Sequence, residues 1–146
     1  MKKESFDVVD TQDRIIGEAF RHEVHGNPNL IHRVVHVLIF NSQNELYLQK
    51  RSAAKDMHPG KWDTSVGGHV DKGESYQSAA VREMAEELGI RQARLYHVYK
   101  YLHRNHHESE YVSTYHCLWD GPIAIHPEEI EILDEITRYQ EFIKNA

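Results

Sequence analysis

Apolar and polar positions alternate with two different periods along this chain, and the change of period marks its elements. Residues 32–40 contain the run Val34-Val35-His36-Val37-Leu38-Ile39-Phe40, β-branched and apolar without a helical stripe, which predicts a central strand buried on both faces. Before it, residues 6–9 and 14–20 read as short strands around the turn Asp10-Thr11-Gln12-Asp13, an N-terminal β-hairpin, and residues 25–29 read as a loop. After it, Asn41-Ser42-Gln43-Asn44 makes a turn, and Leu46 and Leu48 alternate with Tyr47 and Gln49 in the next strand. Residues 62–66, 94–102 and 110–119 predict three further strands, the last two joined by the polar loop 103–108. Pro127-Glu128-Glu129 looks like a helix start, and Ile132, Leu133, Ile136, Tyr139, Phe142 and Ile143 form a stripe that predicts a C-terminal helix across one face of the sheet.

The period switches to that of a helix between Ser75, a natural N-cap, and Gly89, a natural left-handed C-terminal residue. Ser78 stands where a capping box would carry Glu or Gln, so the start of this helix rests on Ser75. At 100° per residue, Ala80, Met84, Leu88, Val81 and Ala85 share one arc, and Arg82, Glu86, Glu83 and Glu87 share the other. Ala79 lies on the acidic arc between Glu86 and Glu83 and leaves those carboxylates unobstructed. Glu83 and Glu87 form a like-charge i, i+4 pair, a small cost that an ordinary solvated face has no reason to carry. Glu74 is placed to pair with Arg82, whose planar fork suits a carboxylate better than lysine would. Hard divalent cations require such clustered carboxylate oxygens and keep water that a phosphate can replace, so the acidic arc reads as a metal site.

Composition narrows the class. A chain of 146 residues suffices for one domain, 1–146, with a proper core. No apolar run approaches membrane-spanning length and Met1-Lys2-Lys3-Glu4-Ser5 lacks the apolar segment of a signal peptide, so a cytoplasmic protein with no membrane partner is expected. The net charge of −6 argues against general nucleic-acid binding and requires cations to hold a polyanionic substrate. Arg51 and Lys55, just ahead of the strand that leads into the acidic loop, are the candidates; Lys61 reads as a solvated loop cation. The single cysteine, Cys117, excludes an internal disulfide and reads as a packed thiol in an alternating strand.

Gly68, Glu74 and Arg82-Glu83-Met84-Ala85-Glu86-Glu87-Leu88-Gly89-Ile90 together resemble the complete Nudix box, with every fixed position filled. The resemblance implies an α/β fold, the Nudix-type α/β/α sandwich with a mixed central sheet. It also implies hydrolysis of a diphosphate linked to another moiety, with Mg²⁺ or Mn²⁺ on Glu83, Glu86 and Glu87. In that reading Arg82, Glu83, Glu87 and Glu110 are the catalytic candidates, Gly68, Glu74 and Gly89 are structural, and the partner is a small-molecule diphosphate. Glu110 is the favoured general base, on the strand expected to face the helix. A homodimer is compatible with the sequence.

A narrower resemblance covers residues 25–90. His25, His32, Arg51, Lys55, Pro59-Gly60, Trp62 and Gly68-His69 are similar to the isopentenyl-diphosphate isomerase branch of the superfamily. The matching three histidines and two glutamates of those isomerases bind one metal, which implies a second divalent site at His25, His32, His69, Glu108 and Glu110, and the residues matching Arg51 and Lys55 hold the diphosphate. For the other histidines, His36, His97, His103 and His126 among them, surface or strand packing is the expectation. Two departures favour hydrolysis: Gly67 stands where the isomerases carry their catalytic cysteine, and the carboxylates at Glu83 and Glu86, which the isomerases need not keep, are present. The alternatives are an isomerase-like enzyme and a non-catalytic nucleotide-sensing module, and the intact carboxylate set speaks for catalysis. Substrate selectivity is expected in loops 26–31, 53–61 and 103–108.

Overall fold

Strand β3 (Ile31–Phe40) holds the sheet together, because its nearly continuous apolar sequence can be covered on both faces and paired on both edges. In this computed structural model residues 4–51, 62–124 and 130–136 are described, with the backbone alone for Arg51, Trp62 and 130–136. On one edge β3 runs parallel to β8 (Ser109–Leu118) over its whole length, from Ile31 beside Ser109 to Phe40 beside Leu118. On the other edge it runs antiparallel to β6 (Val66–His69), with Val34 opposite His69 and Val35 opposite Gly68. Strand β7 (Tyr96–Arg104) pairs antiparallel with β8. The expected N-terminal hairpin, β1 (Ser5–Val9) and β2 (Ile15–Phe20), joins at Val9 opposite Ile31, and the short helix α1 (Arg21–Val24) follows it. At the far end β4 (Leu46–Arg51) carries the sheet on to β5 (Trp62–Asp63).

The partner of β4 on its other edge is a strand that the apolar stripe did not predict. Residues 130–136, expected to be helical, form β9 (Ile130–Ile136), antiparallel to β4 with Leu46 opposite Ile136. Ile130, Ile132 and Ile136 also recur with period two, β-branching favours the strand, and the edge of β4 supplies the hydrogen bonds. The remainder of the stripe, Tyr139, Phe142 and Ile143, lies outside the described residues.

Helix α2 (Tyr76–Leu88) is the predicted amphipathic helix. Its start is better secured than expected: Ser78 N–H donates to Ser75 Oγ at 3.1 Å while Ser75 N–H donates to Ser78 Oγ at 3.0 Å, so the second serine closes a capping box with a short hydroxyl. Gly89, at φ 66°, ends the helix in the left-handed region that glycine tolerates. The helix packs on the β3 face of Val35, Val37 and Ile39, with Ala79, Ala80, Met84, Leu88, Tyr115 and Cys117 in one core. Its buried face is rotated toward the acidic arc: Val81 is 48% exposed, whereas Ala79 is fully buried and Glu87 only 7% exposed. Ala79 therefore serves close helix–sheet packing. The hairpin and α1 form a smaller core of Phe6, Val8, Ala19 and Val24, and Phe6 stacks on His32 and His69 on the face of the sheet away from α2. No helix among the described residues is long and apolar enough to cross a membrane.

Candidate active site

Glu83 is placed by what Gly68 lacks. A Cβ on Gly68 would stand 2.5 Å from Glu83 Oε1 and 2.6 Å from its Cγ, so only glycine lets the carboxylate lie flat against β6. Arg82 holds the other side: Nη1 donates to Glu83 Oε1 at 2.9 Å and to Glu86 Oε2 at 3.2 Å. The same guanidinium grips Glu74 in a two-pronged pair, Nε to Oε2 and Nη2 to Oε1, both 2.8 Å, and donates from Nη2 to the His69 carbonyl at 3.0 Å. Glu74, with Arg82 beside it, is held below the ordinary carboxylate range, and Arg82 is correspondingly raised, chiefly by Glu74. The expected loop-to-helix pair is present, and it fixes two of the three box carboxylates as well.

Glu87 points inward beside Glu83. Gln49 Nε2 donates to Glu87 Oε1 and to the Ser65 carbonyl, both at 3.2 Å. Burial raises the Glu83 carboxyl, opposed by Arg82 and by its hydrogen bond with Glu87. Glu87 is buried and Glu83 half-buried, and carboxyl groups this close favour a shared proton or an added cation, a divalent ion suiting a set of hard oxygens that includes the outward Glu86. The helix therefore offers a fitting metal position. Gln49 was hidden by its strand pattern, since alternation assigned it to a polar row with no link to the helix.

The second predicted cluster also assembles, on the other face of the sheet. The rings of His25, His32 and His69 stand 5.4–5.9 Å apart, with Phe6 stacked on His69 at 4.7 Å and on His32 at 5.7 Å. His25 Nδ1 lies 3.0 Å from Glu108 Oε2, and His32 Nε2 lies 3.7 Å from Glu110 Oε2. One ligand atom each from His32, Glu108 and Glu110 falls within 4.8 Å of the others. His25 Nε2 and His32 Nε2 are buried without a hydrogen-bond partner, a cost that a coordinated cation removes. Burial pushes the His32 imidazole down to about 4 and His69 well below its usual value, which keeps them neutral, as metal ligands must be. Burial, with Glu108 and Asp63, pushes Glu110 up to about 7.

Strand β8 does face α2, through Tyr115 and Cys117, but Glu110 belongs to the alternate row and stands beside His32, away from the helix. The two clusters meet at β6, where the His69 carbonyl accepts from Arg82 while the His69 ring joins the histidines. Asp7 supports the junction, accepting from Gly73 N–H at 3.1 Å; a lone acid in an apolar strand was the available signal for it. Cys117 is packed as expected and burial raises its thiol to about 11, and Ser65 Oγ is engaged with the Tyr47 carbonyl and the Ile39 N–H. Among the other histidines, His97 Nε2 pairs with Ser113 Oγ at 3.1 Å, and His36 is desolvated in the sheet, its imidazole held down by burial against the pull of Asp63. The Arg51 side chain, Lys55 and His126 lie outside the described residues.

A mixed sheet with α2 packed on one face, and a glycine-backed carboxylate group on the inner side of that helix, defines an α/β protein with a helix-borne acidic site. The chain belongs to the Nudix family: the family model for the NUDIX domain matches residues 30–145, and the chain is a Nudix hydrolase acting on phosphoanhydride bonds. It is 38% identical over 122 residues to a Nudix hydrolase of Pseudomonas aeruginosa, covering 84% of this chain and 72% of that protein. A structure of DR0079 from Deinococcus radiodurans superposes with a TM-score of 0.81 at 25% identity, over 98% of this chain and 90% of that one. An isopentenyl-diphosphate Delta-isomerase of Nocardia farcinica is 37% identical over 84 residues, 58% of this chain and 48% of that protein, so the isomerase branch is a relative in sequence as well as in motif.

Proposed function

We propose that the protein hydrolyses the pyrophosphate bond of a nucleoside di- or triphosphate, or of a nucleoside diphosphate linked to another moiety, using Mg²⁺ or Mn²⁺. The observation that carries this reading is the Glu83–Glu87 pair, with Glu83 held by Arg82 against the bare backbone of Gly68 and Glu87 buried on Gln49. Glu83, Glu86 and Glu87 would hold the divalent ion, which when bound polarises phosphoryl oxygen and acidifies water. Arg82 keeps Glu83 and Glu86 aimed and, with both prongs on Glu74, holds the loop from Gly68 in place. Glu83 or Glu87 takes the proton of the attacking water, and Arg51 and Lys55 hold charge on the substrate. Glu110, on the other face, serves the His/Glu cluster, where His25, His32, His69, Glu108 and Glu110 would hold a second divalent ion.

The isomerase reading is disfavoured at Gly67. A Cβ there would lie 3.4 Å from His36 Cδ2 and 3.6 Å from Thr64 Oγ1, so a side chain fits and its absence is a chemical choice. Moving a proton on and off an alkene needs an acid that Gly67 does not supply. The test is phosphate or nucleoside-monophosphate release from a panel of diphosphates with Mg²⁺ and with chelator. Metal-dependent release is expected, and Glu87→Gln should lower it by at least about a hundredfold with an intact or slightly improved melting temperature. A sensing module would be stabilised by ligand and release no product, and undiminished turnover in Glu87→Gln would remove the mechanism.

A further inference from the structure

The turn that leads from β6 into α2 is gripped from outside by strand β1. Asp71-Lys72-Gly73-Glu74 close it, with Glu74 N–H donating to the Asp71 carbonyl at 2.9 Å and Gly73, at φ 84°, in the place that a left-handed residue must fill. The two central amides of the turn both go to β1: Lys72 N–H donates to the Ser5 carbonyl at 2.8 Å, and Gly73 N–H to Asp7 Oδ2 at 3.1 Å. Lys72 Nζ also pairs with Glu18 of β2, and Tyr76 OH, just past the N-cap, donates to Asp13 at the hairpin tip. The hairpin precedes residues 30–145, the stretch that the NUDIX family model matches, so this grip comes from a segment outside that model. Asp7 is buried among the apolar residues of β1, a desolvation cost that its bond to the turn offsets.

We propose that Asp7 is a positioning residue for the carboxylates of α2, acting through the turn and Arg82. Gly73, whose amide Asp7 holds, is joined directly to Glu74. Glu74 Oε1 accepts from Asp71 N–H at 2.8 Å, and its two oxygens accept from Arg82 Nε and Nη2 at 2.8 Å each. Arg82 then donates from Nη1 to Glu83 and to Glu86. The guanidinium therefore lies where Glu74 puts it, Glu74 lies where the turn puts it, and the turn is tied to β1. Without Asp7 the Gly73 amide loses its acceptor and, of the two central amides, only that of Lys72 still ties the turn to β1, so the two-pronged pair is free to drift. Ligands one shell out from a metal set its affinity by aiming the carboxylates, and small displacements there are felt. The bond from Arg82 to the His69 carbonyl is independent of the turn, so the helix keeps an anchor on β6 and the loss falls on aim rather than on folding. Asp7 itself touches neither metal nor substrate.

This inference rests on the reading of Glu83, Glu86 and Glu87 as metal ligands. Its test uses the full chain carrying His32→Ala, so that Mn²⁺, titrated by electron paramagnetic resonance, reports on the carboxylates alone. Asp7→Ala should weaken Mn²⁺ about five- to tenfold and raise the Mn²⁺ needed for half-maximal product release by a similar factor, while kcat at saturating Mn²⁺ falls about twofold or less. Asp7→Asn, which keeps a carbonyl acceptor for the Gly73 amide, should stay within about twofold of the parent. In the metal-free protein, Asp7→Ala should also move the NMR signal of the Arg82 Nε–H. Val24→Ala, which opens the small core of the hairpin without touching Gly73, should lower the melting temperature and leave Mn²⁺ affinity unchanged. Because Asp7 acts through Glu74, adding Asp7→Ala to Glu74→Gln should cost little further affinity. If Asp7 only stabilises the fold, Asp7→Ala behaves as Val24→Ala does, with Mn²⁺ affinity and the Arg82 signal unmoved, and the inference is overturned. Full additivity with Glu74→Gln overturns it as well. A parent protein that binds no Mn²⁺ and releases no product sinks the metal reading instead, and the Arg82 signal in Asp7→Ala then decides the positioning by itself: moved, it upholds the link from Asp7 to Arg82; unmoved, it ends it.

Discussion

At Gly68 a single hydrogen atom decides whether Glu83 can occupy its place. The Gly68→Ala methyl would need the space of the carboxylate, so the helix or the side chain must move; turnover should fall about ten- to a hundredfold and stability by about 1–3 kcal/mol, read from kcat and chemical denaturation. An unchanged kcat would show that Glu83 has no need of its position. Asp13 makes a second residue-level prediction. Its carboxylate, in the turn between β1 and β2 at φ 62°, accepts from Arg33 at 2.8 Å, from Tyr76 at 2.8 and 2.9 Å and from Lys100 at 2.7 Å. Burial raises its pKa, but Lys100, Arg33 and Tyr76 outweigh that and the net shift is downward. The folded carboxyl thus binds a proton less readily than the unfolded one. Its contribution is complete above the unfolded value near 3.8 and is lost as pH falls through the folded value. Asp13→Asn keeps a residue that tolerates this backbone, and it should cost about 1–3 kcal/mol at pH 7 and flatten the acid limb of stability against pH.

At the scale of elements, α2 shows how much local chemistry can specify. Its N-cap, left-handed terminus and length follow from Ser75, Gly89 and the 3.6-residue period, and all are observed. The two serine hydroxyls satisfy one another's backbone N–H, so Ser75→Ala should cost about 1 kcal/mol and Ser78→Ala a measurable fraction of it, by urea denaturation. Equal indifference to both changes would mean that tertiary packing alone holds the helix start. Which face of α2 is buried was less legible: hydropathy assigns Glu87 to solvent, yet Gln49 makes a polar seat for it inside. β9 is the other case. A stripe with apolar residues at 132, 133 and 136 satisfies both periods, and the edge of β4, about eighty to ninety residues earlier in the chain, decides between them.

For the molecule as a whole, the sheet stands between the acidic side of α2 and the His/Glu cluster, with His69 of β6 touching both. The metal predictions follow from that separation. Added Mn²⁺ should raise the melting temperature in two saturable steps, Glu83→Gln removing one and His32→Ala the other, with effects that add to within a few tenths of a kcal/mol, about the tolerance for independent sites. A single step abolished by either change would mean one joint site. Chelation should lower the melting temperature of the unaltered protein by the sum of both. The sequence by itself determined the amphipathic helix with its caps and acidic arc, the hairpin and the central strands, because these are carried by residue type, period and spacing along the chain, whereas the histidine group was implied only by the resemblance to the isomerase branch. Only the tertiary structure decided which side of the sheet each group occupies, that Glu110 stands with His32, that Gln49 supports Glu87, and that 130–136 is a strand. Those choices depend on strand register and on which edge is left to be paired, and neither is written in any local stretch of sequence.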